Sequence, residues 1–170
     1  MSLSKRIAAL VLCLALAGCG FTPLHQAQNG HAISAAYAQI EVGIIPDRDG
    51  QHLRNLLIDR LYTQGRPQNA RYLLHIAPLE TEQTDLGIQK DATVTRTQIE
   101  ITAQMTLTDR HNGNTVLTRR LRAIGGYDVL DAQYATFITR RSETDRALEE
   151  LANNAITAIN LYLNRKGRGT

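Results

Sequence analysis

Few side chains in this sequence have the type and spacing that chemistry needs. The thiols are Cys13 and Cys19, both within the first nineteen positions, and beyond them the Ser hydroxyls are those of Ser34 and Ser142. Neither Ser sits in a Gly-x-Ser-x-Gly elbow, so no activated hydroxyl nucleophile is expected. Asp47-Arg48-Asp49-Gly50 has the start of a calcium loop, but the twelfth position is Ile58, where that loop needs an acid, so a plain turn is the better reading. The five His are scattered, and His25 and His31 fall in the N-terminal stretch, far from any ligand-spaced partner. Lys166 follows no Gly-rich loop, and no Gly-x-Gly-x-x-Gly occurs. The expectation is a protein without catalysis, metal or cofactor.

One residue does carry covalent chemistry. Lys5 and Arg6 form a basic start, Ile7 to Ala17 is an apolar run, and the run ends in Leu16-Ala17-Gly18-Cys19, which resembles a bacterial lipobox. The run is well short of the roughly 20 residues a spanning helix requires. The resemblance implies that residues 1–18 are a cleaved signal peptide, that Cys13 leaves with it, and that Cys19 carries an S-diacylglycerol and an N-acyl chain such as palmitate. Several acyl chains hold a protein firmly where one would not, since each buried methylene contributes about 0.8 kcal/mol. Gly20 follows Cys19, in place of the Asp that signals inner-membrane retention, so the expected location is the periplasmic side of the outer membrane of a Gram-negative bacterium.

What remains must fold around one core. The chain has 170 residues, 43% of them hydrophobic, with two Cys and no Trp, which excludes a disulfide-stapled miniature fold. Its net charge of +3 falls by two units when Lys5 and Arg6 are removed, so the high isoelectric point is no nucleic-acid footprint, and no nucleic-acid partner is expected. Lys5, Lys90 and Lys166 are the Lys residues and the other cations are Arg, whose guanidinium forks suit phosphate or carboxylate; GC-rich codon usage gives the same bias.

The elements that must position these groups follow from periodicity. Residues 19–37 read as a tether, 38–164 as a single domain and 165–170 as a basic tail. Ile40, Val42 and Ile44 alternate as a strand stopped by Pro46. Asp47 to Gly50 is a turn with a capping residue, and Leu53, Leu56, Leu57 and Leu61 recur at helical spacing until Gly65. Tyr72, Leu74 and Ile76 make a second strand, and Thr81 to Lys90 is polar and turn-like. Ile99, Ile101, Ala103, Met105 and Leu107 then share one face of a strand whose other face is Gln98, Glu100, Thr102, Gln104 and Thr106. Asn112-Gly113 predicts a tight turn and a hairpin back through Thr115 to Ile124. In that last strand Arg119 shares a face with Leu117 and Leu121, which calls for a bulge or an edge position, and Gly125-Gly126 offers a bend. Leu148, Leu151, Ala152, Ala155, Ile156, Ile159 and Leu163 form a long helical stripe with Ser142 as its cap, while Tyr134, Phe137 and Ile138 form a separate turn whose rings read as core. The expected fold is α+β: a mostly antiparallel four-stranded sheet, order β-α-β-β-β-α, with two helices on one face.

The start Cys19-Gly20-Phe21-Thr22-Pro23-Leu24, the element order, the Gln/Thr-faced strand and the segment from Tyr127-Asp128-Val129 through Phe137 to Leu161-Tyr162-Leu163 together resemble the LptE family of LPS-assembly lipoproteins. The resemblance implies a lipid-anchored protein that plugs and helps assemble the LptD β-barrel and takes part in LPS transport to the outer leaflet. It also implies LPS contact by basic residues before the Gln/Thr strand and before the final helix, here Lys90, Arg140 and Arg141. The Gln/Thr face suits a polar barrel lumen or ordinary solvent. Arg119, Arg120 and Arg122 form another basic cluster, fit for phosphate or for an edge strand. The alternative is the auxiliary lipoprotein of an ABC-type envelope lipid transporter.

Overall fold

The computed structural model describes residues 34–88, 94–129 and 132–168. Five strands and two long helices follow in the order β1 (Ile40–Val42), α1 (Arg48–Leu61), β2 (Tyr72–Ile76), β3 (Glu80–Ile88), β4 (Val94–Asp109), β5 (Thr115–Asp128) and α2 (Gln133–Arg168). A short helical turn over 34–37 precedes them. The α+β class and the mostly antiparallel sheet are as expected, but there are five strands instead of four. The addition is β3, in the stretch that reads as turn-like.

The reason lies in β4, which at 16 residues is roughly 50 Å long. β2 pairs with only its second half, Tyr72 to Ile76 against Asp109 to Met105, and leaves the first half without a partner on that side. β3 fills the gap, running from Glu80 opposite Thr102 to Ile88 opposite Val94. Because β3 is an edge strand whose side chains from Thr81 to Leu86 are all exposed, it carries no apolar alternation for sequence to betray. Between Ile76 and Glu80 the chain advances one residue more than its partner does between Met105 and Thr102. Pro78, which has no N–H to donate, sits in that bulge just after Ala77 donates to the Gln104 carbonyl at 2.9 Å. The extra residue reverses which side chains face the helices.

β1 pairs parallel to β2, Ile40 opposite Tyr72, as expected of a strand-helix-strand crossover through α1. β5 pairs antiparallel along nearly all of β4, with Gly113 taking φ 72° in the hairpin turn. The bulge that this strand demands lies at Val116, since Leu117 and Thr115 oppose the consecutive residues Leu107 and Thr108. β5 is also an edge, and it runs on to Asp128 instead of ending at Ile124.

Both helices cover one face. Leu53, Leu57 and Leu61 of α1 and Leu148, Leu151, Ala152, Ala155 and Ile159 of α2 close on Ile99, Ile101, Met105 and Leu107 of β4 with Leu74 and Ile76 of β2, all essentially inaccessible to water. α2 comes close enough to the sheet that a Cβ on Gly125 would lie 3.3 Å from the Glu143 carbonyl oxygen. Two capping expectations change. Asp47 stands at the N-cap of α1 with φ 64° and makes no side-chain cap bond, and Ser142 lies inside α2, which begins a further two and a half turns upstream. Gly65 does adopt φ 95°, though α1 has already ended at Leu61.

Candidate functional site

Among the described residues, no helix lies over the other face of the sheet. Gln98, Glu100, Gln104 and Thr106 of β4 share it with Thr118, Arg120 and Arg122 of β5 and with Glu80, Glu82 and Thr84 of β3. Arg120, Arg122, Glu80 and Glu100 are tied together in the plane. Arg122 forks onto both oxygens of Glu100 at 2.5 and 2.8 Å, which holds the Glu100 carboxyl below the usual carboxylate range. This fork offsets the like charge of Glu82, directly opposite Glu100. Thr102 donates its hydroxyl to Glu80 at 3.3 Å and accepts from Arg120 at 3.4 Å. Of the Arg119, Arg120 and Arg122 cluster, therefore, two members are engaged with the sheet itself, and Arg119 is exposed on the helix-side register.

The two ends of the sheet differ in kind. At one end lie the start of β2, the end of β4 and the last turns of α2. Arg71 holds Asp109 at 2.9 Å, and together with the His111 N–H it lowers the Asp109 pKa. Lys166 donates to the Tyr72 hydroxyl, and Tyr162 stands edge-on to the Tyr72 ring with centroids 6.2 Å apart. Burial, followed by its bond with Tyr72, pushes the Tyr162 phenol up to about 12. Lys166 thus has a packing partner and does not act as a free basic tail. The short turn over 34–37 docks at this end too: Tyr37 donates to Asn160 at 2.6 Å, and Ser34 and Thr63 hydroxyls lie 3.3 Å apart.

At the other end are the end of β3, the start of β4, the end of β5 and the first turns of α2. Tyr127, opposite Thr97, is buried on the helix side, and Thr97 donates to Asp85 at 2.9 Å. A cleft of about 300 Å³ opens here, lined by Tyr127, Val129, Gln133, Thr136, Phe137 and Arg140. Tyr134 and Phe137, whose rings read as core, are instead 78% and 52% exposed, and with Ile138, 46% exposed, they belong to α2 itself instead of a separate turn. Arg140 reaches over the Phe137 ring, its guanidinium carbon 5.7 Å from the centroid, and has no carboxylate partner among the described residues. Its neighbour Arg141 is committed, holding Asp49 of α1 at 2.8 Å and Asp145 at 3.0 Å.

The two Arg thus point to different tasks: one is available, the other fastens α1 to α2. Lys90 and Cys19 lie outside the described residues. In sequence Lys90 falls between the paired strand ends Ile88 and Val94, which belong to the same end as Arg140. Among the described residues no three His, Cys, Asp or Glu side chains gather to hold a metal, and no helix is long and apolar enough to cross a membrane. Arg96, exposed on β4 beside Gly126, is a cation of this end that the sequence reading passed over.

The sequence matches the model of the LptE family, described as lipopolysaccharide-assembly, over residues 37–163. The chain belongs to the LptE family. Its role accordingly lies in lipopolysaccharide assembly. No curated protein matches the chain by sequence. Solved structures share the fold: a lipoprotein from Caulobacter crescentus superposes with a TM-score of 0.62 at 23% identity, covering 79% of this chain and 97% of that one. The rare lipoprotein B from Shewanella oneidensis gives 0.58 at 14% identity, covering 72% and 98%. A minor lipoprotein from Acinetobacter baumannii gives 0.57 at 21%, covering 76% and 93%. The LptE family match extends from the docked Tyr37 to the last stripe residue Leu163, so both ends of the sheet fall within it.

Proposed function

We propose that this LptE-family chain is an outer-membrane lipoprotein, anchored through acylated Cys19, that plugs an LptD-type β-barrel from the periplasmic side, helps it assemble and takes part in passing LPS to the outer leaflet. It acts by binding, without catalysis or cofactor. The observation that carries the plug reading is the uncovered sheet face, where Gln, Thr and internally paired charges stand in place of an apolar surface. A wide barrel has a polar lumen, and such a face meets it through hydrogen bonds and bridging water, with Glu80 and Glu100 already matched by Arg120 and Arg122 and Glu82 left to the solvent.

The two ends of the sheet support a direction. The described chain starts at the Tyr72 end, and Arg140 lies at the opposite end, roughly 50 Å away along β4. Among the described residues Arg140 has no carboxylate partner, which leaves its guanidinium for a phosphate; Lys90, and Arg141 once released from Asp49, would add to it.

A gentle-detergent pull-down of the tagged, lipidated protein from its native envelope tests the reading. A large outer-membrane β-barrel retained at about one to one after a salt wash is the expected result. Recovery of inner-membrane transporter subunits without a barrel would overturn it in favour of an auxiliary transporter lipoprotein.

A further inference from the structure

The apolar stripe of α2 does not stop where the protein's own core stops. Phe137 lies eleven residues, three helical turns, before the fully buried Leu148, and so sits on nearly the same side of the helix. Tyr134 lies one turn further out. Over Leu148 the stripe is covered by the sheet and by α1. α1 starts at Arg48, and Arg141 grips Asp49 in its first turn, so the first two turns of α2 run past the end of α1. There the stripe faces the cleft between Phe137 and the end of β5, with Tyr127 and Val129 as its apolar wall.

A core-phased ring left 52% exposed is a surface awaiting a cover. The rim says of what kind. Among the described residues Arg140 is the charged residue lining the cleft, stacked on Phe137 and without a carboxylate partner, and no acid joins it in the lining. An open cleft walled by Tyr127, Val129 and Phe137, with Arg140 at its mouth, is complementary to an anionic amphiphile, tail against the apolar wall and anion on the guanidinium.

We propose that this cleft takes an acyl chain of LPS, with Arg140 on an adjoining phosphate, so that the lipid tail completes the core at the end of α2. The proposal rests on the LPS-contact reading above and narrows it. Contact is with the lipid portion of the molecule as well as its charges, and Phe137, Val129 and Tyr127 are its apolar determinants.

Photo-crosslinking in the native envelope tests it with LPS itself as the probe. The full chain would carry a benzophenone side chain at Val129, at the exposed rim residue Gln133, or at Thr118 on the open sheet face. The expected result is an LPS adduct from Val129 and Gln133, mapped by mass spectrometry to an acyl chain, and none from Thr118. The Phe137→Ala variant should lower the Gln133 adduct at least five-fold with the protein level unchanged. Adducts from Gln133 that map only to sugar or phosphate would overturn the acyl-chain proposal and leave LPS contact standing. No LPS adduct from either cleft position would overturn both. The Gln133 position keeps the test decisive should the half-buried Val129 variant fail to fold.

Discussion

Arg140 and Arg141 are adjacent in sequence and opposite in circumstance: Arg141 lies 2.8 Å from Asp49, whereas the Arg140 guanidinium, among the described residues, meets the face of the Phe137 ring and no carboxylate. Alternate placement on α2 does this. One side chain falls toward α1 and the other toward the cleft, so a pair that sequence reads as a single basic site divides into a fastener and a free cation.

Replacing each separately should expose the division. Arg141→Ala should lower stability by about 1 kcal/mol, the range for a pair in partial contact with water, while Arg140→Ala should leave the denaturation midpoint unchanged. Arg140→Ala should instead reduce LPS retained with the purified full chain. Urea unfolding and quantitation of co-purified LPS read the two effects.

How much of this was legible in the residues depends on where each element finds its cover. β4 announces itself because from Gln98 to Thr108 its odd positions are apolar and its even ones polar, and Asn112-Gly113 sets the hairpin that follows. β3 is silent: its partner is the spare half of β4, a fact of strand length that no local pattern in Glu80 to Ile88 encodes. Phe137 and Tyr134 have the right helical phase for a core but lie beyond the end of α1, so phase predicted burial that architecture withholds. Arg140 and Arg141 cannot be distinguished without Asp49, which is distant in sequence.

The close approach at Gly125 predicts a steric cost. Gly125→Val should destabilise by about 1–3 kcal/mol, since its side chain must displace the backbone of α2 at Glu143. Leu57→Ala, by contrast, should cost about 2–5 kcal/mol through the cavity left in a fully buried site. Chemical denaturation of both full-length variants measures the difference.

Acid should weaken the fold in a definable window. Asp109 and Glu100 have pKa values lowered on folding by Arg71 and Arg122, so their stabilisation is complete above the unfolded carboxylate values of about 4 and is lost as pH falls through the lower folded ones. Stability should hold steady above about pH 5 and decline below it, and the decline should be shallower in Arg71→Met. Denaturation midpoints taken across the acid range check this. At the alkaline end, near-ultraviolet titration should find one phenol ionising only at about 12, a signal absent from Tyr162→Phe.

On the open face, Arg122→Glu places three acids together with Glu100 and Glu82. The isolated chain should lose little stability, as exposed ion pairs contribute little, but the barrel complex should be recovered in several-fold lower yield. Comparing denaturation with pull-down yield separates the two.

The most direct measurement is photo-crosslinking from Gln104, exposed in the middle of the open face, set against Glu150, exposed on α2. Gln104 should form adducts with inward-facing residues of an outer-membrane β-barrel. Adducts from Gln104 with an inner-membrane transporter alone, or no adduct there while Glu150 captures the barrel, would contradict it.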